Sequence, residues 1–191
     1  MKIIICPLIK EAKTGGEKYF VRVFEYFQKH QVCVEPLYAE ELPSWPRAFG
    51  LMFDCFMSNI WFFFKLISMT SFRKETIILE DFHSHPRLVL CNALLKIFNK
   101  NIRIVTLLQL SLFYHGSLKN PLMKKLDEWV IRHYLRQTDE ILCNSEYTRQ
   151  QALSVSGVAA GKVKVVYCGH DELDVQPYES KTKDKINILF F

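Results

Sequence analysis

Short runs of β-branched and aliphatic residues alternate along this chain with longer stretches whose apolar residues recur every three to four positions. That alternation restricts the fold more than any other feature. Residues 2–6, KIIIC, precede a loop ending in Thr14-Gly15-Gly16 and then EKYFVRVFEYFQKH, where Phe20, Val23, Phe24 and Phe27 fall at i, i+3, i+4 and i+7 of a helix. Residues 32–38, VCVEPLY, read as the next strand. Strand, glycine loop, helix, strand is how a doubly wound α/β fold begins, with parallel strands covered by helices. Further strands are expected at 76–82, 102–110, 140–145 and 163–167. Between them lie a helix opened by Pro86, at the position proline prefers, and a long one after Pro121. The latter carries Leu122, Leu126, Trp129, Val130 and Tyr134 at helical spacing, and Ser145 is placed to cap a helix over EYTRQQAL.

Residues 48–72, AFGLMFDCFMSNIWFFFKLISMTSF, are the most apolar stretch. Asp54, Ser58, Trp61 and Lys65 share one helical stripe and almost everything else is apolar, which predicts a helix buried nearly all round. A second reading docks its aromatic face, with Arg47, Lys65, Arg73 and Lys74 around it, into a membrane interface or a partner protein. A membrane span is excluded, because Asp54, Ser58-Asn59 and Lys65 break the apolar run well short of the ~20 residues a bilayer needs.

At 191 residues the chain accommodates one sizeable domain and an extra element, and 49% hydrophobic with 24% charged residues is a globular balance. The net charge of +5 is dispersed, without the dense basic patch and interleaved aromatics that nucleic-acid binding requires. Six scattered cysteines without a C-x-x-C are expected to be reduced, mostly buried thiols of a cytoplasmic protein, and MKIIICPLIKE reads as a first strand, not a signal peptide. No G-x-G-x-x-G, P-loop, G-x-S-x-G or H-E-x-x-H occurs, which sets aside nicotinamide oxidoreductases, Walker NTPases, serine hydrolases and zincins.

The candidate site residues stand at strand exits. Gly15 and Gly16 allow backbone amides to approach a ligand, or simply allow the strand-to-helix turn. Asp81, His83 and His85 alternate at the end of the third strand and are expected to face the crevice where such folds bind ligands. They do not make a metal site, since two histidines and a carboxylate on one strand end cannot readily close a tetrahedron. His115 and His170, each beside a glycine after a later strand, are further binding candidates, whereas His30 and His133 read as helix-surface residues.

The order of these pieces resembles the N-terminal domain of a GT-B glycosyltransferase of family 4, group 1. The matching stretches are GGEKYFVRVFEYFQKHQVCV, EDFHSHP, VTLLQL, LRQTDEILCNSEYTRQQAL and VKVVYCGHDEL. The resemblance implies an acceptor-binding domain over residues 1–172, an interlobe linker over 173–185, and at 186–191 the first strand of a C-terminal domain that binds a nucleotide-sugar. It further implies a truncated chain, or one completed by a separately encoded donor-domain subunit. The nucleotide-sugar would be a co-substrate of the complete enzyme, and no cofactor or metal is implied. The donor-domain motif, two glutamates seven residues apart with a basic pair on the diphosphate, has no counterpart, so the chain alone lacks the groups that stabilise the leaving diphosphate. Gly15 and Gly16 map to the donor-facing loop, and His83, His85 and Gln109 to the acceptor cleft. Gln109 stands where the family commonly has histidine; it hydrogen-bonds but cannot act as acid or base, and His115 lies six residues on. Cys168 likewise replaces a usual asparagine in the turn CGHD. The expected partners are a sugar acceptor and the inner face of a membrane. The competing reading is a non-catalytic, membrane-associated or partner-binding module on a degenerate glycosyltransferase fold.

Overall fold

The computed structural model describes residues 1–11, 15–42, 50–109, 121–155 and 157–167. Six strands form one parallel sheet: β1 (Lys2–Leu8), β2 (Val34–Tyr38), β3 (Thr76–Asp81), β4 (Ile102–Leu108), β5 (Glu140–Cys143) and β6 (Val163–Val165). The spatial order is β2-β1-β3-β4-β5-β6, so the chain runs outward from β1 to one edge and then returns to build the other side. The order reverses between β1 and β3, and in such sheets the crevice at the carboxyl ends of the strands beside that reversal is where ligands bind. Pro36, which cannot donate to a ladder, is tolerated because β2 is an edge strand.

Alternation along each strand sorts the core into two layers. Ile3, Ile5, Leu79, Val105 and Leu107 meet α1 (Gly15–Lys29) through Phe20 and Phe24, with Val23 and Phe27 packed beside them, as the spacing predicts. Ile4, Ile78, Ile104 and Leu108 face the opposite layer, made by α2 (Gly50–Met69), α3 (His85–Phe98), α4 (Pro121–Gln137) and α5 (Glu146–Ser154). The expected doubly wound, Rossmann-like α/β sheet is therefore present.

Two helices leave part of their apolar surface exposed. The buried face of α4 is Ile131, Tyr134 and Leu135, while Leu122 (71% exposed) and Trp129 (54%) point to solvent with Leu126. The helical period is correct, but the apolar residues fall on two arcs and only one meets the sheet. In α2, Phe62, Phe63 and Leu66 are core, yet Phe56 and Phe64 are exposed, so the helix is not buried all round. Asn59 joins α2 to α3. Its amide donates to the Pro86 carbonyl at 2.9 Å and accepts from the Leu90 N–H at 2.8 Å, the two groups that an uninterrupted α3 would bond to each other.

The linker 173–185, the strand at 186–191, His115 and His170 lie outside the described residues. Cys6, Cys91 and Cys143 are buried free thiols as expected, whereas Cys33 is free and exposed. Among the described residues no helix is long and apolar enough to cross a membrane.

Candidate functional site

Three strand exits and one helix start define the site. After β1 the chain reaches α1, whose first two residues are Gly15 and Gly16. After β4 comes Gln109, two strand positions away in the sheet, and the two segments meet. A Cβ added to Gly16 would stand 3.1 Å from the Gln109 Oε1, tighter than most side-chain contacts, so glycine here lets the first turn of α1 close on the Gln109 amide. The Nε2 of Gln109 is buried and has no hydrogen-bond partner among the described residues. A buried amide donor left unpaired costs roughly 1–3 kcal/mol, a cost that a ligand accepting from it would remove.

The Gln109 backbone is fixed from the next strand. Its carbonyl accepts from the Asn144 Nδ2 at 2.7 Å, and the Asn144 Oδ1 accepts from the Thr148 hydroxyl at 3.1 Å. Thr148 completes a capping box with Ser145: Ser145 Oγ accepts from the Thr148 N–H, and Thr148 Oγ1 accepts from the Ser145 N–H, both at 3.2 Å. The cap of α5 thus also holds the exit of β4. Ser145 was legible as a cap; the part played by Asn144 was not, because EILCNS reads as strand to its end while β5 stops at Cys143.

His83 and His85 do not behave as strand residues. β3 ends at Asp81, and Phe82–Ser84 turn through a short 3-10 helix, so the expected alternation of Asp81, His83 and His85 stops at its first member. Phe82 fills the core and drives that turn. His83 is exposed at the same sheet edge as Gln109, its N–H directed at the Asp81 carboxylate over 3.4 Å. His85 opens α3, and its side chain lies outside the described residues. Of the sequence candidates, the structure brings together Gly16 and Gln109.

Beside the first turn of α1 lies an open pocket of about 420 Å³ lined by Ile9, Lys10, Glu11, Glu17 and Glu40. Its rim is tied by the Lys10 N–H, which donates to Glu40 Oε1 at 2.9 Å, while the Lys10 ammonium lies 5.1 Å from the centre of the Tyr38 ring. Three carboxylates against one ammonium make it acidic. Among the described residues no group of three or more histidine, cysteine, aspartate or glutamate side chains could hold a metal ion.

Beneath the crevice, Glu80 is fully buried on the helical side of β3. Its Oε2 accepts from the Tyr134 hydroxyl at 2.7 Å and from the Asn92 Nδ2 at 2.9 Å; the Thr106 hydroxyl lies 2.8 Å from Tyr134 Oη. Burial pushes the Glu80 carboxyl up to about 7, against the downward pull of those two bonds and of Lys96. Oε1 of Glu80 and Oδ1 of Asn92 have no hydrogen-bond partner among the described residues.

The family model for Glycosyltransferase Family 4 matches residues 15–172, which is most of the chain. The chain belongs to glycosyltransferase family 4. The match begins at Gly15 and spans Gln109, Asn144 and Ser145, so the meeting of Gly16 with Gln109 lies wholly inside the family 4 region. No curated protein matches the chain significantly.

Proposed function

We propose that this family 4 chain is the acceptor-binding lobe of a two-lobed, GT-B type glycosyltransferase. In this reading the sugar acceptor enters the crevice at the carboxyl edge of the sheet. The observation that carries it is the approach of Gly16 to Gln109, whose buried Nε2, without a partner among the described residues, is suited to donate to a sugar hydroxyl. The neighbouring pocket supports a polyhydroxylated acceptor: Glu11, Glu17 and Glu40 accept hydrogen bonds from hydroxyls and repel phosphates.

Gln109 does no proton transfer, so its role is to orient the acceptor. Stabilising the departing nucleotide diphosphate falls to a donor-binding lobe, which supplies the cations and amides that transfer demands. Whether that lobe is contiguous or a separate subunit, the lobe described here binds without transferring. The test is a transfer assay on the purified 191-residue chain with labelled uridine- and guanosine-diphosphate sugars and a panel of saccharide acceptors. No labelled glycan is expected from the chain alone; formation of one would overturn the assignment to a lone acceptor lobe.

A further inference from the structure

The layer of α2 and α3 has more apolar surface than the sheet can use. Residues 88–95 of α3, LVLCNALL, carry no charge, and α2 is apolar through most of its circumference. Helices of that kind are normally covered on all sides. Here the outward side is open: Phe64 (64% exposed), Ile97 (72%) and Phe98 (60%) stand at the surface. Phe64 and Phe98 form one patch, since the Phe63 ring meets both, with ring centres 5.3 and 5.4 Å apart, and Ile97 precedes Phe98 in the last turn of α3. The loop after α2 and the turn after α3 are joined there, because Asn101 Nδ2 donates to the Phe72 carbonyl at 2.8 Å and Asn99 Nδ2 to the Ser71 carbonyl at 3.2 Å. Those same segments carry Arg73, Lys74 and Lys100, all exposed and none in an ion pair among the described residues.

We propose that this patch seats the protein on an anionic lipid surface, with the aromatic and aliphatic side chains in the headgroup region and the three cations on the lipid phosphates. Neither signal suffices by itself, and their combination is what reversible interfacial binding needs. A second copy of the chain is a poorer occupant, because a twofold contact would set the three cations of one copy against those of the other. The patch lies at the carboxyl ends of α2 and α3, hence at the amino edge of the sheet, opposite the crevice of Gly16 and Gln109. A docked molecule therefore turns its acceptor crevice toward the aqueous phase.

Phe62 and Phe63 are core residues, so acidic substitutions there would unfold the chain instead of testing docking. Exposed positions serve the test. Sedimentation of the 191-residue chain with phosphatidylcholine vesicles, and with vesicles that also contain phosphatidylglycerol, is expected to show binding to the anionic set only, weakened by salt. The triple variant Arg73→Glu, Lys74→Glu, Lys100→Glu, and separately Phe64→Ser with Phe98→Ser, should each lower that binding at least about tenfold while far-ultraviolet circular dichroism is unchanged. Equal binding to neutral vesicles would overturn the proposal. So would no binding to either set, or a solution dimer that both variants dissociate.

Discussion

At the scale of single residues, Glu80 is the group whose chemistry is most exposed to test. An ordinary carboxyl titrates at 4.5, whereas burial raises this one to about 7. An acid whose folded value is raised binds its proton more tightly in the native state, so folding is favoured below the unfolded value and that advantage is lost as pH rises toward the folded value. The groups facing Glu80 are Asn92 from α3, Tyr134 from α4 and Thr106 from β4, with Lys96, Cys6 and Cys91 nearby. In the neutral form the Glu80 carboxyl carries a proton while its Oε2 still accepts from Asn92 and Tyr134. A glutamine at 80 reproduces that neutral, donating group. Relative to wild type, Glu80→Gln should therefore gain about 3 kcal/mol between pH 4.5 and 7.5, read from urea unfolding across pH. A stability difference that stays flat over that interval would contradict a buried carboxyl titrating there.

Among the elements, α4 shows what a hydrophobic pattern does and does not determine. Leu122, Leu126, Trp129, Val130 and Tyr134 mark a helix correctly, since their period is that of the α-helix. Of these only Tyr134 lies on its inner face. The side that meets the sheet is the one buried in the same core as Ile104, Leu108 and Ile141, and its residues are Ile131, Tyr134 and Leu135. Leu135→Ala should cost 2–5 kcal/mol, roughly the range for a fully buried leucine, while Leu122→Ser should stay within about 0.5 kcal/mol. Chemical denaturation of both variants checks the assignment, and comparable losses would mean that the exposed arc is also core. In contrast, α1 was legible in both period and face, because Phe20, Val23, Phe24 and Phe27 share one arc and that arc is the one packed on the sheet. Strand ends were legible only to within a few residues. Asp81 to His85 read as a continuing alternation, but Phe82 is drawn into the core and the backbone leaves the strand to follow it.

For the molecule as a whole, the strand and helix order and the doubly wound sheet follow from the sequence, because short strand-forming runs alternate with longer helical stretches between them. The site was legible in part. Gly16 and Gln109 lie far apart along the chain, and only the packing of α1 against the exit of β4 shows that they touch. Asn144, which secures that exit through the cap of α5, leaves no sequence signal of its own, since its work is done by a hydrogen bond to a residue 35 positions away. The central claim is that the Gly16–Gln109 crevice binds a sugar acceptor, and saturation-transfer NMR of the chain against mono- and oligosaccharides tests it most directly. At least one saccharide should give transfer; Gln109→Leu should weaken its binding roughly tenfold with the melting temperature little changed, and Gly16→Val, which must displace the Gln109 amide, should weaken it as well. Saccharide binding that survives both substitutions, or a silent panel beside a nucleotide-sugar that binds, would contradict the account.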